Sequence, residues 1–130
     1  MNIQLDMIGI AVRDMAKALA FYRQLGLAIA EGAEQEDHVE VITPNGYRLA
    51  WDTVALIKGF DPEWVEPAGH AIGLAFKCDT PAAVDALYAQ LTAAGYVGKR
   101  APWDAFWGQR YAGVLDPDGN LIDLFAPLGG

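Results

Sequence analysis

The chain has 130 residues, 53% of them apolar, with nine basic against seventeen acidic side chains and a formal net charge of −8. That length sets one domain as the starting expectation, with roughly two thirds of the unfolded surface withdrawn from water, enough for a core without staples. The acidic balance argues against a nucleic-acid partner, the single cysteine excludes an intrachain disulfide and a cysteine-based zinc site, and no apolar run approaches the roughly 18 residues of a membrane span.

The chain opens MNIQLDMIGIAV, with no basic stretch before the apolar run. This argues against a signal peptide and makes a cytoplasmic location the expectation. Ile8 to Val12 reads as a strand, and Asp14 can cap a following helix. Met15, Leu19, Tyr22 and Leu25 give that helix one apolar stripe, and Gly26 can close it in the left-handed conformation. Short strands are expected near 27–31, 38–43 and 47–53, with Pro44-Asn45-Gly46 turning the last two. The stretch 54–69, with Pro62, Pro67 and Gly69, reads as a linker, and His70 as a solvated residue at its end. The pattern then repeats, Ile72 standing 64 positions after Ile8. A strand from Ile72 is followed by Thr80 as a cap, Pro81 at the first helical position, and a stripe of Val84, Leu87, Tyr88 and Leu91. Gly95 closes this second helix. Strands are expected near 96–100, 107–115 and 121–126, with Asp116-Pro117-Asp118-Gly119-Asn120 as the final turn. A period this long makes each copy a half-domain. The organisation is one domain over 1–130: a first module of about 1–55, a linker of about 56–69 and a second module of about 70–130.

Specific residues carry a family resemblance. Asp14-Met15 and Phe21-Tyr22-Arg23-Gln24-Leu25-Gly26-Leu27 resemble the opening of glyoxalase and bleomycin-resistance proteins. The turn from Asp116 to Asn120, followed by Leu121-Ile122-Asp123-Leu124-Phe125, resembles their last hairpin. Arg48 to Thr53, Asp61 to Trp64, Pro102-Trp103, Trp107 to Tyr111 and Asp123 to Leu128 are similar to the mitomycin-resistance branch. The resemblance to this vicinal-oxygen-chelate superfamily implies an α+β fold, with two tandem β-α-β-β-β modules in a curved eight-stranded mixed sheet. It also implies a homodimer whose modules together form two ligand clefts.

In metal-dependent members of that family, four strand positions carry the metal ligands. The resemblance maps them to Met7, to Ala50, to Gly73 (or Ala71, if the register shifts) and to Asp123. Only Asp123 is a good ligand for a hard divalent ion, so no metal and no cofactor is expected. The absence of serine excludes a serine triad, and Cys78 reads as a small buried hydrophobe.

Aromatic residues supply the alternative chemistry. Trp103, Phe106 and Trp107 cluster where a cleft wall is expected, and Pro102 and Gly108 should keep that segment irregular. The resemblance implies that Trp107 lines a drug groove, and that His38 and Trp107 sandwich the ligand. Asp52, Gln109 and Arg110 would supply polar contacts, with Asp123 on the cleft floor. Arg110 is expected to pair with Asp123 or Asp52, or to meet the ligand. Trp51 alternates with Ala50 and Asp52, so it should pack under a helix, while Trp64 should anchor the crossover. The function implied is metal-independent sequestration of a planar aromatic or quinone-like molecule, such as a mitomycin- or bleomycin-type antibiotic, with no nucleic acid or membrane as partner. The alternative is a glyoxalase-type lyase or isomerase, or an extradiol dioxygenase.

Overall fold

A computed structural model describes residues 1–69 and 72–129. Its contacts group the chain into two compact units, residues 1–66 and 67–130.

In the first unit, β1 (Ile8–Val12) leads into α1 (Met15–Gln24), then β2 (His38–Ile42), β3 (Arg48–Thr53) and α2 (Val54–Phe60). The Asp14 carboxylate accepts from Lys17 N at 3.0 Å and starts α1, as expected of a cap. Gly26 follows the helix at φ 86°, the left-handed region that a Cβ disfavours. The strand order is β1-β3-β2, with β1 parallel and β2 antiparallel to β3. Alternation then sorts the side chains. Ile10, Val12, Val39, Val41, Leu49 and Trp51 are buried with Met15, Leu19 and Tyr22 of α1. Trp51 lies under that helix as expected, its ring centroid 5.2 Å from that of Tyr22.

One expectation for this unit fails. Among the described residues, segment 27–31 pairs with no strand. Arg23 draws it back toward α1 by donating to Ala30 O at 2.7 Å and to the Glu34 carboxylate. Gly32 at φ 82° then opens a single 3₁₀ turn, Ala33–Gln35. The stretch read as a linker begins with a helix, α2, because the Thr53 hydroxyl accepts from Leu56 N and caps it. Seven residues with no buried position leave no apolar stripe to read in advance.

The second unit contains β4 (Leu74–Lys77), α3 (Pro81–Ala93), β5 (Gly98–Ala105), β6 (Gln109–Leu115) and β7 (Leu121–Pro127). Its order is β4-β7-β6-β5, with β4 parallel to β7 and the other pairs antiparallel. Thr80 caps α3 by accepting from Ala83 N. The last turn is built on Asp116, which is buried and accepts from Asp118 N, Asn120 N and the Asn120 amide. Val84 and Leu91 of α3 are buried with Ala112, Val114, Ile122, Leu124 and Ala126. The strand expected at 96–100 runs on to Ala105, with a register shift between Arg100 and Trp103 that accommodates Pro102. Trp103 is therefore a strand residue, and only Phe106, Trp107 and Gly108 form the turn before β6. Cys78, half-buried rather than fully buried, has its thiol pushed up by burial and the neighbouring Asp79. His70 and Ala71 lie outside the described residues.

The fold is α+β with two mixed sheets, three strands in one unit and four in the other among the described residues. The expected eighth strand is the segment 27–31.

Candidate functional site

Each sheet carries its helix on one face, and the chemistry stands on the other. In the first unit that outer face holds His38 and Glu40 from β2, Ala50 and Asp52 from β3, and Gly9 and Ala11 from β1. His38 and Asp52, both named from the sequence, are direct register partners. His38 Nδ1 donates to Asp52 Oδ1 at 2.5 Å, and Nε2 donates to Glu40 Oε2 at 2.7 Å. Hydrogen bonds first to Asp52 and then to Glu40 raise the His38 pKa above its ordinary value. Arg48 extends the row, with a two-pronged contact to Glu40 and a pairing to Asp6 at 2.5 Å. Arg48 and His38 together hold the Glu40 carboxyl down to about 2. Carboxylates and nitrogen donors therefore alternate from Asp52 through His38, Glu40 and Arg48 to Asp6. Glu40 and Arg48 were missed in the sequence, although strand parity puts Glu40 on the face of His38, and Arg48 on that of Asp52.

In the second unit, Trp103, Tyr111, Phe125 and Asp123 share the outer face, and Trp107 meets Trp103 and Tyr111 from the turn. Trp107 is edge-on to three rings, with centroids 5.5 Å from Trp103, 4.9 Å from Phe106 and 5.3 Å from Tyr111. Tyr111 and Phe125 stack at 6.3 Å and 26°. Trp107 Nε1 donates to Gln109 Oε1 at 2.8 Å, so Gln109 sets the tilt of the indole. The Arg100 guanidinium lies 4.0 Å above the Trp103 ring, a favourable cation–π position. Trp103 Nε1 is buried with no hydrogen-bond partner among the described residues. Phe106 remains 91% and Trp107 46% exposed.

Asp123 also lies on this face, where Tyr111 donates to its Oδ2 at 2.8 Å. Burial and that carboxylate push the phenol up to about 12. Tyr111 lay within the segment Trp107 to Tyr111 that carried the resemblance but was not singled out as a site residue, because its importance depends on which β7 residue stands beside it. Arg110 corrects an expectation. It pairs with Asp85 of α3 at 2.9 Å and Asp104 of β5 at 3.1 Å, not with Asp123 of the same sheet. The reason is parity: Arg110 registers with the buried Ala126, on the helix-covered face, while Tyr111 registers with Phe125 on the outer face.

The donor set does not suit the metal that some relatives of this fold use. Met7, Ala50 and Gly73 offer no oxygen or nitrogen side-chain ligand. His38 meets Asp52 and Glu40 at opposite edges of its ring, so the three groups do not converge. Among the described residues no trio of His, Cys, Asp or Glu could hold an ion.

Residues 4–124 match the Glyoxalase/Bleomycin resistance protein/Dioxygenase superfamily, and the chain belongs to it. Among solved structures, a glyoxalase/bleomycin resistance protein/dioxygenase family enzyme from Burkholderia phytofirmans PsJN is 25% identical. It aligns over 95% of this chain and 98% of its own, with a TM-score of 0.83. A protein of unknown function from Agrobacterium tumefaciens C58 is 26% identical over 98% and 97% of the two chains, TM-score 0.72. A glyoxalase-related enzyme from Fulvimarina pelagi is 23% identical over 98% and 93%, TM-score 0.81. No curated protein matches the sequence. No helix among the described residues is long and apolar enough to cross a membrane.

Proposed function

We propose that the protein sequesters a planar aromatic or quinone-like small molecule without a metal, and that an antibiotic of the mitomycin or bleomycin type is its ligand. The observation that carries this reading is the aromatic face of the second unit, where the exposed Trp107 meets the exposed Phe106, Trp103 and Tyr111, and Tyr111 stacks with Phe125. Exposed aromatic groups held by their neighbours in fixed tilts suit a flat ligand. Each stacked pair contributes about 0.5–1.5 kcal/mol beyond the area buried, toward the roughly −8.2 kcal/mol of a micromolar complex. In the first unit, the His38 ring held between Asp52 and Glu40 supplies a second flat group. The working form on this reading is a homodimer. The lyase, isomerase and dioxygenase alternatives need metal ligands at Met7, Ala50 and Gly73, where this chain has none.

The test is tryptophan-fluorescence titration with mitomycin C and with bleomycin, on wild type and Trp107→Ala. Wild type should show saturable quenching. Trp107→Ala should bind at least about tenfold more weakly, the mark of an interface anchor, with an unchanged melting temperature. Equal affinity in the variant, or no saturable quenching of wild type, would remove the reading.

A further inference from the structure

We propose that Asp123, held by Tyr111, selects among planar ligands, favouring rings with a neutral N–H donor over rings without one. This rests on the reading that the ligand lies on the aromatic face of the second unit. Asp123 stands within the sheet, not at its rim, and its register neighbours are Gly113 on β6 and Ala75 on β4. Those are the two smallest side chains available, and Ala75 is exposed. The carboxylate is therefore approachable over β4, next to the stacked rings of Tyr111 and Phe125. Tyr111 occupies Oδ2. Oδ1 leans toward Gly113, where an added Cβ would sit 3.6 Å from it. No lysine or arginine forms an ion pair with Asp123 among the described residues.

The surroundings decide what kind of donor fits. Lys77 registers with Phe125 on the same face, and Lys99 and Arg100 border Gly113 from β5. These basic side chains flank the residues next to Asp123 and already supply positive charge on that part of the sheet, so the ligand need bring only a donor. A neutral N–H keeps the charge-assisted hydrogen bond without adding a further positive charge. A ring that covers Asp123 and offers no donor leaves a desolvated acceptor unmet, which is costly.

Three coumarins isolate the effect: 7-amino-4-methylcoumarin, its 7-dimethylamino analogue, which has no N–H, and 4-methylcoumarin, each titrated by fluorescence. Wild type should prefer the primary amine about tenfold or more over both others, as for a hydrogen bond to a charged group. Asp123→Ala, which removes the acceptor, should abolish the preference. So should Ala75→Leu, which covers the approach from an exposed position and does not depend on how the Asp123→Ala variant folds. Trp107→Ala should weaken all three ligands equally. A preference that survives in Asp123→Ala and Ala75→Leu overturns this inference and leaves the aromatic-face reading standing. Unweakened binding in Trp107→Ala overturns that reading itself. Wild type that binds none of the three overturns both.

Discussion

At the scale of single residues, His38 is the most constrained group on the outer face of the first unit. Both ring nitrogens face carboxylates, so the protonated ring is the form that satisfies Asp52 and Glu40 together. Its pKa is raised, first by Asp52 and then by Glu40, from the ordinary 6.5. A folded value above the unfolded one stabilises the protein fully below pH 6.5, and the contribution fades as pH rises through the raised folded value. The expected result is an imidazole NMR titration midpoint above 6.5 in wild type and a lower one in Asp52→Asn. A wild-type midpoint at or below 6.5 would show that the two carboxylates do not hold the ring in solution. The sequence named His38 and Asp52, because each sat in a recognisable segment. It did not name the bond between them, which depends on the β2–β3 register. The expected pairing of Arg110 with Asp123 failed for the same cause: a one-residue difference in parity carries a side chain to the opposite face of a strand.

At the scale of elements, the helices and turns were legible because their signals are local. Asp14, Thr80, Gly26, Gly95 and Asp116 act within four residues of their own positions. Segment 27–31 was not legible, because Arg23 claims Ala30 and Glu34 from outside the segment. Contact between α3 and β5 gives a sharper case. A Cβ on Gly98 would fall 2.1 Å from the Tyr88 hydroxyl oxygen and 2.8 Å from its ring carbon Cζ. The stiff ring of Tyr88 on α3 must move to admit it. Gly98→Ala should therefore destabilise the fold by about 1–3 kcal/mol, as overpacking does. Chemical denaturation would measure this, and Gly98→Ala combined with Tyr88→Leu should recover most of the loss. An unchanged midpoint in the single variant would mean that β5 sits farther from α3.

At the scale of the whole molecule, the proposed working form is a dimer, which sedimentation equilibrium tests directly. The expected mass is twice 14.0 kDa, and a strict monomer at micromolar concentration would remove the dimer from the proposal. The sequence by itself determined the repeat, the caps, the helix stripes, the final hairpin and the family. These follow from contacts between near neighbours and from motifs that keep their spacing. It also placed Trp103, Phe106 and Trp107 in one cluster, because they lie within five positions of each other. Tertiary structure alone decided that Tyr111 bonds Asp123, that Arg110 turns to Asp85, and that His38 stands between Asp52 and Glu40. Each of these pairings except His38 with Glu40 joins groups at least twelve positions apart. Strand register and side-chain parity bring them together, and neither is fixed until the whole sheet has formed.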